Sequence, residues 1–351
     1  MSGESAATAA AQSAAAAAPD AAAATSELLV VDGLRVDFHG AGQHVRAVDG
    51  LSYAVRRGQT VAMIGESGCG KTVSSRALIA LLPRTARVTG SIRFEGRELV
   101  GLPEKRMREV RGAEISMVFQ DPTRSLNPTM RVGEQIVESV RAHSDTARAP
   151  ARARALELMR LVRLPAAAER FDQYPHQLSG GMRQRVMIAI AIAGEPKLLI
   201  ADEATTALDV TTQAQIMELL RDIQRRLGMT LIMISHDLGL AATFADEVLV
   251  MYAGRAVERA PTRTLFEDVR MPYTKALIDS IPRLSDPPHM VLNVVAGQAP
   301  SLAALPPGCP FAPRCPRASE ECRETEPPFS EQEPDHAWAC WHPLGAQDGL
   351  A

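Results

Sequence analysis

Gly65-Glu66-Ser67-Gly68-Cys69-Gly70-Lys71-Thr72 fits the pattern G-x-x-x-x-G-K-[ST], and its surroundings decide the fold. A short apolar run, Thr60 to Gly65, leads into it, and a segment with helical pattern, Val73 to Leu82, leads out. In such a strand-loop-helix unit the glycines let the backbone wrap closely, its N–H groups point at phosphate oxygens, and the helix N-terminus adds a partial positive charge. Lys71 would reach the terminal phosphates and the Thr72 hydroxyl would meet Mg²⁺. Bare matches to the pattern arise by chance. Here strand, helix and one of only four lysines in the chain (Lys71, Lys105, Lys197, Lys275) coincide.

Further buried-strand runs occur at 197–201 and 230–235, and Ile115 to Phe119 reads as another strand. Helical pattern separates them, at Ala149 to Leu164 and at Met182 to Ala193, the latter closed by Gly194 and Pro196. This alternation predicts an α/β doubly wound core with ligands at the carboxyl ends of the strands. Leu34, Val36 and Phe38 alternate with Arg35, Asp37 and His39, as a half-buried antiparallel strand requires. The run Leu198 to Ala201 ends in Asp202-Glu203. A single carboxylate there could cap a helix, but two fit a division of labour: Asp202 would hold Mg²⁺ through its water shell and Glu203 would act as general base or polariser of the attacking water.

The chain has 351 residues, 46 % hydrophobic and 23 % charged, with a formal net charge of -3. That composition supports a packed core and excludes wholesale disorder. Without a long basic tract, nucleic acid is excluded as the main partner. Residues 1–24 hold 14 alanines and no Lys or Arg, so they read as a flexible tail rather than a targeting signal. No apolar stretch approaches the roughly 20 residues of a membrane span, so a soluble chain is expected. Beyond Arg259 lie 15 of the 24 prolines and four of the five cysteines, which predicts a separate, loop-rich appendage.

Leu178-Ser179-Gly180-Gly181-Met182, continued by Arg183-Gln184-Arg185, would form a second anion site at a helix start, and one nucleotide does not need two on one chain. The segment resembles the LSGGQ signature of ATP-binding cassette (ABC) ATPases, with Met182 in place of the usual Gln. Gln120 resembles the Q-loop, Thr206-Ala207-Leu208-Asp209 the D-loop, and His236 the switch histidine. The order and spacing are family-like. The resemblance implies a P-loop NTPase ABC cassette over residues 28–258: a mixed to parallel sheet core, an antiparallel β subdomain and an α-helical subdomain over about 122–180. A tail of 1–27 precedes it and an extension of 259–351 follows.

It also implies ATP and Mg²⁺ as ligands. ATP would be bound by Gly65, Glu66, Ser67, Gly68, Cys69, Gly70, Lys71, Thr72 and Val73, and Mg²⁺ by Thr72, Gln120 and Asp202. Glu203, His236, Gln120 and Lys71 would serve hydrolysis, with His236 at the γ-phosphate. Ser179, Gly180, Gly181 and Met182 would act in trans on a second subunit's ATP, and Asp209 would belong to the D-loop. An aromatic normally stacks on adenine; Phe38, His39 and His44 are the candidates, Phe38 favoured. Cys69 is expected to be mechanistically inert, though a thiol there could confer sensitivity to alkylation.

Met271-Pro-Tyr-Thr-Lys-Ala-Leu277 and Gly308-Cys-Pro-Phe-Ala-Pro-Arg-Cys-Pro316 resemble segments of the oligopeptide/dipeptide import branch. Cys309, Cys315, Cys322 and Cys340 are spaced C-x5-C-x6-C-x17-C, which departs from zinc-ribbon pairs. The resemblance implies a [4Fe-4S] cluster on these four; zinc and free thiols are the alternatives. His336 and His342 are spare ligands near Cys340, but they read first as solvated loop histidines. Expected partners are a second ATPase subunit, a distinct paralogue, two transmembrane permease subunits and an extracytoplasmic substrate-binding protein, which places the chain peripherally at the cytoplasmic face of the inner membrane. The implied function is ATP hydrolysis that powers peptide import, and relatives also serve nickel or oligosaccharides. A non-transport ABC ATPase is the other class. Its chromosome-organising members insert a long coiled coil where only 108 positions separate Lys71 from Ser179 here.

Overall fold

The computed structural model describes residues 27–40, 43–205, 209–281 and 295–345. The Ala-rich tail before Glu27 and Thr206, Ala207 and Leu208 of the expected D-loop lie outside them.

Among the described residues there are two sheets. The first takes β1 (Glu27–Gly40), β2 (Gln43–Arg56), β4 (Ala86–Phe94) and β5 (Arg97–Glu98) in the order β2-β1-β4-β5, all antiparallel. Leu34 and Val36 of β1 are buried as expected, but the alternation breaks at a bulge after Val36: Asp37 is buried against Arg46 and Phe38 is only half-buried. The main sheet uses β3 (Thr60–Ile64), β6 (Ile115–Val118), β7 (Leu198–Asp202), β8 (Thr230–Ser235), β9 (Glu247–Tyr252), β10 (Arg255–Pro261), β11 (Ser330–Glu333) and β12 (His336–Trp338). Its order is β11-β12-β10-β9-β3-β8-β7-β6. Strands β9, β3, β8, β7 and β6 run parallel, and every residue of β3, β6, β7, β8 and β9 is buried. This is why they read as continuous apolar runs instead of alternating ones.

Helix α1 (Lys71–Leu78) follows β3, and α2 (Glu104–Val110) precedes β6. A helical region then runs through α3 (Pro122–Ser125), α4 (Val132–Ala142), α5 (Arg148–Leu161), α6 (Ala167–Arg170) and α7 (Gly180–Ala191). Phe171 is fully buried beneath it, and the Arg152 guanidinium lies 3.7 Å over its ring centroid. Next come α8 (Val210–Leu227) and α9 (Leu238–Phe244). Two helices begin earlier than their periodicity indicates. Helix α1 opens at Lys71 because Gly70, at φ 103°, supplies its N-cap, and α7 opens at Gly180 because the Ser179 hydroxyl accepts from the Met182 N–H at 3.3 Å.

The C-terminal part differs from the expected separate appendage. It contains α10 (Thr262–Glu267), α11 (Pro272–Asp279) and α12 (Glu320–Glu324), and its hairpin β11–β12 extends the main sheet past β10. Tyr273, Cys309, Phe311 and Cys322 belong to the same continuous core as Ile64, Val118 and Val250. The edge of β10 offers unpaired backbone groups, and β12 satisfies them. Buried Glu258 of β10 is a second tie: it accepts from the backbone N–H groups of Arg270 and Met271 and lies 2.9 Å from Nε2 of buried His336.

Candidate functional site

The parallel strands present their carboxyl ends along one edge, and every catalytic candidate follows one of them. The loop from Gly65 leaves β3 and closes on α1. A Cβ at Gly65 would lie 2.2 Å from the Met251 carbonyl oxygen, and one at Gly70 2.5 Å from that of Ala47. The loop is therefore pressed between β9 and β2, and only glycine passes at both points. Lys71 is buried, and its Nζ donates to the carbonyl oxygens of Gly65 at 2.7 Å and Glu66 at 2.9 Å. Burial raises the Cys69 thiol above its ordinary value and leaves only 5 % of the residue exposed, which disfavours the thiolate that alkylation needs.

Asp202, at the end of β7, is fully buried. Its Oδ1 accepts from the Thr72 hydroxyl at 2.9 Å, and its Oδ2 has no hydrogen-bond partner, with the Arg76 guanidinium 3.9 Å away. Burial pushes this carboxyl above its ordinary value of 3.8, although the Thr72 bond and Arg76 pull the other way. A buried carboxylate with one unsatisfied oxygen beside a hydroxyl fits a hard cation such as Mg²⁺, which prefers oxygen ligands. Thr72 and Asp202 would hold the ion, which would neutralise phosphate charge.

Glu203 follows at φ 47°, a left-handed conformation that costs a non-glycine residue about 1–3 kcal/mol. That turn aims the carboxylate along the strand ends. The Gln120 amide, just beyond β6, donates to Glu203 Oε2 at 2.6 Å, and Nδ1 of exposed His236, just beyond β8, lies 3.9 Å from Oε1. Residues 83 and 33 positions from Glu203 thus converge on one carboxylate. The arrangement can hold a water molecule and accept its proton.

Ser179 to Met182 do not line the cavity beside the phosphate loop, which is bounded by Val45, residues 66–69, Tyr252, Ala253 and 299–303. Their helix start faces α8 instead: a Cβ on Gly181 would touch Thr212 Cγ2 at 3.0 Å. Asp209 caps α8, its carboxylate accepting from the Thr212 N–H at 2.9 Å and hydroxyl at 2.7 Å. Phe38 pairs across the β1–β2 hairpin with Val45, a cavity-lining residue, so the two share a face; His39 and His44 are the next pair, their rings tilted at 35° with centroids 4.9 Å apart.

The four C-terminal cysteines line one cavity, together with Phe311, Trp341 and His342. All are free thiols, and burial raises Cys309 and Cys315 and pushes Cys340 up to about 12. His342 Nε2 is 2.8 Å from the Ser319 hydroxyl, whereas His336 is turned away to Glu258. His336 is fully buried rather than solvated, and it is not among the residues that line the cysteine cavity. Two residues that touch the phosphate loop escaped sequence reading, Tyr273 and Arg314, because they come from more than 200 positions downstream of Glu66.

A model of the ABC transporter family matches residues 48–206, and a model of the oligopeptide/dipeptide transporter C-terminal region matches 257–322. A putative peptide import ATP-binding protein of Brucella abortus is 49 % identical over 307 residues, 87 % of this chain and 92 % of that protein. The oligopeptide transport ATP-binding protein OppD of Salmonella typhimurium is 46 % identical over 317 residues, 90 % and 94 % of the two chains. Among solved structures, an ATP-binding cassette captured as a dimer in a post-hydrolysis state with ADP and Pi superposes with a TM-score of 0.61 at 25 % identity, covering 67 % of this chain and 99 % of that one. With its phosphate loop, its convergent strand-end residues and these relatives, the chain belongs to the ATP-binding subunits of ABC transporters, in the oligopeptide/dipeptide branch.

Proposed function

We propose that this chain hydrolyses ATP to power the import of di- and oligopeptides, as one subunit of an assembly with a second, distinct ATPase, two permease subunits and an extracytoplasmic binding protein. The observation that carries hydrolysis is the convergence of Gln120, Glu203 and His236 next to a phosphate loop. Peptides as cargo rest on relatives 46–49 % identical that are named for peptide import. No described helix is long and apolar enough to cross a membrane. In this proposal the permeases supply the route for cargo, and this chain works at their cytoplasmic face.

In this reading Lys71 and the loop N–H groups hold the phosphates, Glu203 takes the proton of the attacking water, Gln120 orients that water and the metal, and His236 meets the γ-phosphate. Ser179 to Met182 complete the partner's site in trans, beside Asp209. ATP shifts the pair toward closure only by as much as it binds the closed form better, and the trans contact supplies that difference. Phe38 is the adenine-side aromatic. The bounds 28–258 for the cassette, about 122–180 for its helical subdomain and 259–351 for the extension belong to the same proposal.

The cysteine cavity is assigned to a [4Fe-4S] cluster, with a structural role in tying down the extension. A single zinc with Zn–S near 2.3 Å needs sulfurs about 3.8 Å apart, and among the described residues no three of these cysteines bring their sulfurs within 4.8 Å of one another. Iron and sulfide content and the visible spectrum after anaerobic purification test the cluster assignment; a colourless, iron-free protein that still supports transport overturns it. Reconstitution with permeases and binding protein tests the cargo: peptides should stimulate ATP hydrolysis, whereas stimulation by nickel or oligosaccharide alone would reassign it.

A further inference from the structure

The phosphate loop is gripped from outside the cassette strands. The Glu66 N–H donates to the buried Tyr273 hydroxyl at 2.9 Å, and the Glu66 carboxylate accepts from both Nη atoms of Arg314, at 2.6 and 2.9 Å. Arg314 directly precedes Cys315, and its side chain is only 5 % exposed. Its remaining donors are also engaged: Nε donates to the Ala296 carbonyl oxygen at 2.7 Å, Nη2 to that of Val295 at 3.1 Å, and Nη1 to the Tyr252 hydroxyl at 3.2 Å. Tyr252, Tyr273 and Phe311 pack with ring centroids 4.5–5.4 Å apart beneath the pair. A few residues beyond Gly297, residues 299–303 form the outer wall of the cavity that Glu66, Ser67 and Gly68 also line.

We propose that Arg314 is a positioning residue of the nucleotide site, which neutralises the carboxylate carried within the phosphate loop so that the loop accepts a polyphosphate. The inference rests on reading that loop as the ATP site. A loop built from N–H groups and Lys71 gains affinity from positive potential, and an unpaired Glu66 would oppose it. The bidentate guanidinium cancels that charge in a fixed geometry that a lysine cannot reproduce, and partial burial limits screening by salt. The extension therefore completes the electrostatics of the site as well as one wall of its cavity.

The test is ATP binding and steady-state hydrolysis by the full-length subunit in its complex. In Arg314→Ala the KM for ATP should rise about 3- to 10-fold, with kcat changing less than twofold and the rise largest at low ionic strength. Adding Glu66→Gln to that variant should return KM to within about twofold of the parent, because the opposing charge is then gone. An unchanged KM in Arg314→Ala, or a raised KM that Glu66→Gln does not rescue, overturns the inference; the second outcome assigns Arg314 to anchoring alone. Where Arg314→Ala does not fold, Glu66→Gln decides: it should bind ATP more tightly, since the freed guanidinium adds to the loop, and equal or weaker binding overturns the proposal. A parent protein that binds no ATP overturns the ATP-site reading and this inference with it, whereas normal ATP binding with the wrong variant pattern sinks the inference alone.

Discussion

Asp202 carries an ionisable group into the interior and leaves one oxygen without a hydrogen bond, so its cost should be visible in pH dependence. Its folded pKa is raised above 3.8, so the folded chain binds the proton more tightly than the unfolded one. Stability of the nucleotide-free protein should then fall as pH rises from 3.8 through the raised value, with a slope of at most about 1.4 kcal/mol per pH unit from this group. Asp37, Glu95 and Glu98 have lowered values and act the other way, but their contribution is complete above their ordinary 3.8–4.5. Subtracting the Asp202→Asn profile in denaturant titrations isolates the slope; identical profiles would remove Asp202 as its source. Next to it, Glu203→Gln should lower phosphate release roughly 10²- to 10⁴-fold while ATP binding persists, and hydrolysis at the parent rate would strip Glu203 of the base role. The order Asp202-Glu203 after an apolar run made both residues recognisable without a structure. The backbone turn at Glu203 and the orphaned Asp202 oxygen depend on neighbours far along the chain, so nothing local announced them.

Helix starts do much of the placement at the next scale up. The Ser179 hydroxyl caps α7, so Ser179→Ala should cost about 1 kcal/mol in urea unfolding and, in mixed dimers, slow hydrolysis at the partner's ATP site. Loss of stability with unchanged partner turnover would leave the residue as a cap only. Gly133, near the start of α4, meets Phe171 so closely that an added Cβ would sit 2.3 Å from the ring. Gly133→Ala should therefore destabilise the helical region by about 1–3 kcal/mol by overpacking, read as a lowered urea midpoint. Helical periodicity revealed α5 and α7 but carried no sign of this contact, since Gly133 and Phe171 are 38 positions apart.

The whole molecule is joined through the edge of its main sheet. His336 and Glu258 are both buried and paired, although 78 positions separate them. His336→Ala should cost about 1–3 kcal/mol, because it strips one partner from a buried carboxylate, and chemical denaturation measures it. An unaltered midpoint would mean that β12 pairing alone holds the extension. Proline and cysteine content marks the region after Arg259 as different in texture but gives no sign that it shares the cassette's core. Its strands are too short and too charged to show a period: β11 reads Ser-Glu-Gln-Glu and is exposed on most positions.

Local pattern was sufficient for the phosphate loop, the buried parallel strands, the signature segment and the family they identify, because each is a constraint on consecutive residues: close approach at glycine, a run of apolar side chains, a capped helix start. The pattern could not reveal that the C-terminal extension shares the cassette's core, that Glu258 and His336 lock it to β10, or that Arg314 and Tyr273 hold Glu66. Those contacts pair residues 78 to 248 positions apart. Ion pairs and aromatic packing at such separations leave no periodic trace along the chain; they arise only when the folded sheet brings its edge and its phosphate loop within reach of the extension.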